Sequence, residues 1–177
     1  MRRLEAVDGV AEFALRFLIL TAARSGEVRS MIWGEVDSAV WTVPGERMKA
    51  GLPHRVPLSE PALAVLQTAR GLDPEKVFPG HRRGRPLSDM TIAAPLKRLD
   101  VLGTVHGFRS TFRDWAAERT SVPREIAELC LAHEVGNAVE RAYRRSDLFD
   151  KRRDLMDQWG RFCLSAGRAG DVVEFRA

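Results

Sequence analysis

Cysteine is scarce in this chain of 177 residues, with only Cys130 and Cys163, each set inside an apolar helical pattern. A disulfide framework is thereby excluded, and a reducing compartment suits the two thiols. Long hydrophobic runs are missing too. The longest, Phe13 to Ala23, is broken by Arg16 and is far too short to cross a bilayer. The start Met-Arg-Arg lacks an apolar segment ending in a small-residue cleavage site, so a soluble cytoplasmic protein without a membrane partner is expected. Neither GxxxxGK[ST] nor GxGxxG occurs, which leaves ATP and dinucleotides without a cradle. The four histidines, His54, His81, His106 and His133, show no HExxH spacing, and Cys130 with His133 makes one ligand pair at best. No metal and no cofactor is expected. Tyrosine occurs once, as Tyr143.

What is present is enough apolar material, 45% of residues, to build a core, in a length that fits one domain with a tail. Lys and Arg number 28 against 24 Asp and Glu, a formal charge of +4, and the excess is clustered at His81 to Arg85, Arg141 to Arg145 and Lys151 to Arg153. Such clusters suit a polyanion, most simply nucleic acid, although solvated helix faces account for any single cluster equally well.

Periodicity predicts a helix over Val7–Ala22, a short one over Gly26–Trp33 opened by Ser25, and strands at Val40–Val43 and His54–Pro57 forming a hairpin with Lys49 near its exposed turn. Further helices are expected at Glu60–Arg70, from Ser88 to about Leu99, at Gly107–Arg119 and from Pro123 to about Ala132. A short strand is expected at Lys76–Pro79. A short helix from Asn137 would carry Tyr143, and a longer one would follow Asp147 to about Leu164. The fold class expected is mainly α with a small antiparallel β-sheet, α+β. Residues 1–164 form the domain and residues 165–177 a tail, with Val172 to Phe175 as a lone strand.

Several polar residues have two readings each. Arg24 with Glu27 is either an ordinary ion pair at a helix junction or a guanidinium held in place for use. His106 and Arg109 open a helix whose apolar stripe is Phe108, Phe112 and Trp115. Arg109 sits at the stripe's edge, where its head is held; in the plainer reading it snorkels and His106 caps the helix. Tyr143 either closes a core or carries chemistry, and Lys49 alone is an unremarkable exposed lysine.

Taken together, in the order Arg24, Lys49, His106-x-x-Arg109, His133, Tyr143, these residues resemble the active site of the tyrosine recombinases, the phage integrase family. The matching text includes Leu20-Thr21-Ala22-Ala23-Arg24-Ser25-Gly26-Glu27, Arg47-Met48-Lys49 before His54-Arg55-Val56-Pro57-Leu58, His106-Gly107-Phe108-Arg109, Leu131-Ala132-His133 and Ala142-Tyr143-Arg144-Arg145. It covers about residues 10 to 164 and looks most like prophage- and island-type integrases. Ala22-Ala23 stands where the family more often has a glycine.

The resemblance implies the integrase catalytic-domain fold and a bacterial protein acting at the nucleoid on double-stranded DNA attachment sites. It further implies site-specific recombination through a 3′-phosphotyrosyl link, with neither ATP nor metal. Arg24 and Arg109 would fork the phosphate oxygens, His133 would donate to them, Lys49 would be the general acid, His106 would assist proton transfer with Tyr143, and Glu27 would orient Arg24. Arg55, Arg82, Arg83 and Arg85 are candidates for other phosphate contacts. A homotetramer on DNA, mainly monomeric when free, is implied as well. The apolar stripe Leu148, Leu155, Met156, Trp159, Phe162 and Cys163 is expected to dock on the adjacent protomer, with Trp159 as anchor. A non-enzymatic DNA-binding remnant and relaxation of supercoils in the manner of type IB topoisomerases are the alternatives.

Overall fold

Helix α2 (Val10–Thr21) is apolar nearly all round, and such a helix has to be buried on every side. In the computed structural model, which describes residues 1–82, 84–136 and 146–165, Ala14, Leu15, Phe17 and Leu18 of α2 are fully buried. Around it pack α4 (Glu60–Ala69), α5 (Asp89–Arg98) and α8 (Phe149–Ser165). A short α1 (Arg2–Glu5) precedes it and buries Leu4. The helix expected from Val7 therefore starts only at Val10, because Asp8-Gly9 breaks the pattern and Gly9 caps α2 with an extended backbone.

After α2 the chain turns at Ala22, whose φ of 50° is left-handed, and enters α3 (Ser25–Arg29) with Arg24 rather than Ser25 as its N-cap. The helix expected to run on to Trp33 stops early. Ile32 bridges Lys76, the Trp33 amide donates to the Glu75 carbonyl at 2.9 Å, and the Val77 amide donates to that of Met31 at 3.1 Å. Pairing to a distant segment outweighs local helical preference here. The strand expected at Lys76–Pro79 is reduced to this bridge and a second, Pro79 to Pro86, with Val77 and Phe78 buried between them.

A short 3₁₀ turn (Trp33–Glu35) leads into a three-stranded antiparallel sheet of β1 (Val36–Asp37), β2 (Val40–Val43) and β3 (His54–Pro57), in that order. The register sets Trp41 opposite Val56 and Val43 opposite His54. Trp41 meets Phe17 of α2 at 5.5 Å between ring centroids, which seats the sheet on the helical core. Alternation along β2 explains this, since Trp41 and Val43 point inward while Thr42 is exposed.

The second half adds α6 (Gly107–Arg119), α7 (Arg124–Cys130) and α8. Phe112 of α6 meets Trp159 of α8 edge-on at 5.4 Å between ring centroids, and Trp115 packs at a tilt against Trp159 and Phe162 at 5.0 and 5.6 Å. The Trp159 indole donates to the Ile19 carbonyl at 2.7 Å. A Cβ on Gly160 would fall 2.7 Å from Ser59 Oγ, so only glycine lets α8 approach the start of α4 this closely. The stripe of α8 thus packs on its own core, contrary to the expectation of docking on a neighbour. Burial of both thiols there and on α7 pushes Cys130 and Cys163 up to about 12. Among the described residues no helix is long and apolar enough to cross a membrane. The helix expected from Asn137 and the strand expected in the tail lie outside the described residues.

Candidate active site

Helix α6 starts where the Thr104 hydroxyl accepts from the Gly107 amide at 3.1 Å. Thr104 thereby does the capping that a plain reading would give to His106, whose exposed side chain makes no capping bond although the residue occupies the N-cap position. One turn on, Arg109 is 5% exposed. Its Nη1 donates to the Ala22 carbonyl at 2.5 Å and its Nη2 to the Leu131 carbonyl at 2.6 Å. Two chain turns from opposite halves of the molecule are thus tied to one guanidinium. Burial, and then the charge of nearby Arg24, push Arg109 down to about 10, with Glu27 opposing.

Arg24 is placed by α3. Its Nη1 donates to Glu27 Oε1 at 2.8 Å, while Glu27 Oε2 accepts from the Arg24 amide at 2.8 Å. Glu27 is buried and the Arg24 side chain 32% exposed, so the carboxylate orients a guanidinium that still reaches solvent. Glu27 is thus paired with the guanidinium it is expected to orient.

At the end of α7, Ala132 adopts a left-handed φ of 51° and turns the chain, and the His133 amide donates to the Glu128 carbonyl at 3.0 Å. That turn brings His133 Nε2 to 3.3 Å from Arg109 Nη2 and His133 Nδ1 to 2.6 Å from Glu128 Oε2. Burial works to raise the Glu128 carboxyl, yet the hydrogen bond from His133 and the guanidiniums of Arg113 and Arg124 outweigh it and hold the group below the usual carboxylate range.

His133 opens onto a recess of about 570 Å³ shared with Lys49, His54, Arg55, Ser146 and Asp147. Lys49 is exposed in the β2–β3 connection, just past a 3₁₀ turn (Gly45–Arg47) whose Arg47 pairs with Glu35. His54 sits deeper. Burial, then the Arg152 charge and to a lesser degree that of Arg24, lower it to about 4. Val135 and Ser146, on the two sides of segment 137–145, both line this recess, and Tyr143 itself lies outside the described residues.

Residues 4–148 match the phage integrase family. The chain belongs to that family. Prophage integrase IntA of Escherichia coli strain K12 is 36% identical over 88% of this chain and 39% of its own length. The integrase of Shigella phage Sf6 is 31% identical over 85% and 41%. The chain therefore spans about two fifths of the length of these curated relatives. A crystal structure of a lambda integrase dimer bound to a COC′ core site has the same fold, with a TM-score of 0.58 at 19% identity, covering 99% of this chain and 48% of that one.

Within this phage integrase fold, Arg24, Arg109 and His133 are brought together, and Lys49 shares the recess with His133. His106 stays at the exposed rim of α6. Arg55 is already engaged, its Nη1 3.3 Å from Asp147 Oδ2 and its guanidinium over the Phe149 ring at 4.1 Å. Arg82 and Arg85 are exposed in a loop closed by the Gly80 amide donating to the Arg85 carbonyl at 2.8 Å, and Arg83 lies outside the described residues. Sequence reasoning missed three residues. Arg152, which belongs in sequence to the basic cluster Lys151 to Arg153, is 2% exposed and donates to the Arg55 and Asp147 carbonyls at 2.7 and 2.8 Å. His54 and Glu128 were the others, and only their positions in a strand and in the last turn of a helix pointed to them.

Proposed function

We propose that residues 1–164 are the catalytic unit of a tyrosine recombinase, which cuts and rejoins double-stranded DNA at attachment sites through a 3′-phosphotyrosyl intermediate. A phosphodiester resists attack because its charge repels nucleophiles and its alkoxide leaves poorly. Arg24 and Arg109 take the charge of the phosphorane in forked hydrogen bonds. The Tyr143 oxygen attacks phosphorus, the bond to the 5′ oxygen breaks, and Lys49 gives that oxygen its proton, leaving a free 5′ hydroxyl. His106 assists removal of the tyrosine proton, and His133 donates to a non-bridging oxygen. The phosphotyrosyl bond keeps the energy of the one it replaced, so rejoining by a second 5′ hydroxyl needs no ATP.

The observation that carries this reading is the recess itself. Its walls hold His133, in contact with the carbonyl-bound Arg109, and Lys49, and its rim includes both flanks of the segment bearing the only tyrosine. Tyr143 is three residues from Ser146, a reach of at most about 11 Å of extended chain. Assembly into a homotetramer on DNA from a mainly monomeric free chain, in a bacterial cytoplasm at the nucleoid, belongs to the same proposal, as do phosphate contacts by Arg82, Arg83 and Arg85.

The deciding experiment is covalent capture on a nicked duplex, in which the departing fragment diffuses away. Wild type should yield a protein–DNA adduct that survives EDTA, and Tyr143→Phe should yield none while binding DNA nearly as well. An adduct persisting in that variant would overturn the nucleophile assignment. Exchange of strands between duplexes separates recombination from simple relaxation, and DNA binding without any adduct would favour the non-enzymatic remnant.

A further inference from the structure

Arg109 and Arg113 lie one turn apart on α6 and grip a single imidazole–carboxylate pair from its two ends. Arg109 Nη2 is 3.3 Å from His133 Nε2, His133 Nδ1 is 2.6 Å from Glu128 Oε2, and Arg113 Nε donates to Glu128 Oε1 at 2.8 Å. Arg124 Nε adds a longer bond to the same oxygen at 3.4 Å. A guanidinium can only donate, so the His133 nitrogen facing Arg109 must present its lone pair. The ring's one proton therefore sits on Nδ1 and points at Glu128. In that state Nε2 has no hydrogen to give to a phosphate oxygen.

Other titratable and charged groups face the ring. Across the recess stand Lys49, His54 and Arg55 from the β2–β3 hairpin and Arg152 from α8, with Asp147 at the rim and Glu134 next in sequence. With an Arg109 N–H facing Nε2, the free site leaves no place for a second ring proton. A phosphodiester brings a further negative charge. It takes the one Arg109 N–H that faces Nε2 while the carbonyl-bound donors stay in place, uncovers Nε2, and makes a second proton on the ring favourable while Glu128 remains the acceptor at Nδ1.

We propose that Glu128 is a positioning residue that fixes His133 as the neutral Nδ1–H tautomer in the free chain and holds it as an imidazolium donor once a phosphodiester enters. The second proton comes from solvent and binds Nε2; the Nδ1 proton stays between ring and carboxylate. This rests on the recombinase reading and assigns to it a step in which DNA binding takes up one proton.

The test uses the full 177-residue chain with ¹⁵N-labelled histidine, in long-range ¹H–¹⁵N spectra where the His133 signals are identified by their loss in His133→Gln. Free wild type should show Nδ1 protonated and Nε2 bare. Adding a short mixed-sequence duplex at low salt should protonate Nε2 as well. Glu128→Gln, whose amide oxygen still accepts, should keep the free-state tautomer but lose the second proton. Glu128→Ala should mix the two tautomers, with melting curves confirming that both variants fold. A protonated Nε2 in the free wild type, or a second proton unaffected by Glu128→Gln, overturns the proposal. Covalent capture on the nicked duplex is read in parallel. An adduct without these signatures defeats the Glu128 assignment alone, while the signatures without an adduct defeat the recombinase reading and leave Glu128 as the keeper of a phosphate-binding histidine.

Discussion

Behind one wall of the recess Arg109 is 5% exposed, with two of its donors committed to main-chain carbonyls and its neighbour His133 held by Glu128. On the facing wall Lys49 is exposed in a connection that leaves the sheet after Val43 and returns at His54. The contrast separates two demands of phosphoryl transfer. Charges that meet the phosphorane work best when already fixed, since nothing has to reorganise as negative charge develops. A proton donor is better kept in water, where its ammonium stays solvated until DNA covers it.

The sharpest way to break the contrast is Arg109→Met. It leaves the Ala22 and Leu131 carbonyls without their buried donor, at about 1–3 kcal/mol each, so urea unfolding should show a loss of about 2–6 kcal/mol along with loss of the adduct. Unchanged stability would mean that the guanidinium is not part of the framework. Lys49→Ala should do the opposite, shifting stability by less than about 0.5 kcal/mol while slowing strand cleavage about 10²- to 10⁴-fold. Sulfur in place of the bridging 5′ oxygen, a leaving group that needs no proton, should restore that rate. Equal restoration of an Arg109 variant would erase the distinction between the walls.

A smaller effect is expected from His54, which lies between them. Folded, it titrates near 4, against 6.5 for an ordinary histidine. Between those values the unfolded chain binds a proton that the folded chain refuses. Stability should therefore be fully present above pH 6.5, decline as pH falls toward 4, and stop declining on this account below that. His54→Gln should flatten the profile in that window, and an unchanged slope in the variant would assign the effect to other groups. Smallest is a matched pair of backbone changes. Ala132 holds a left-handed φ of 51° on the buried side and Gly51 one of 68° in the Lys49 connection. Ala132→Gly should stabilise by about 1 kcal/mol, raising Tm by about 2–4 °C, and Gly51→Ala should destabilise by a similar amount, both read by thermal melting.

How much of this was legible in the sequence differs between local and distant causes. Helix α6 starts and ends at the expected residues, Gly107 and Arg119, because its stripe and its boundaries are set by neighbours in sequence. Strands β2 and β3 were legible for the same reason. The helix expected over Gly26–Trp33 failed because its second half pairs with residues some 45 positions away, which no local pattern records. In the site, Arg24 with Glu27 is a local pair and could be read directly. Glu128 could not, since its meaning depends on Arg113 from another helix. The stripe of α8 was legible as apolar, but a stripe does not say whose core it enters.

One consequence concerns the two thiols. With Cys130 and Cys163 buried and raised to about 12, essentially no thiolate exists near neutral pH, and only the thiolate reacts quickly with alkylating agents or disulfides. The native chain is therefore silent toward maleimide-type reagents while folded. A single cysteine introduced beside Lys49 would be the one site to take a fluorophore or spin label, so movement of that wall on DNA can be followed without first removing either natural cysteine.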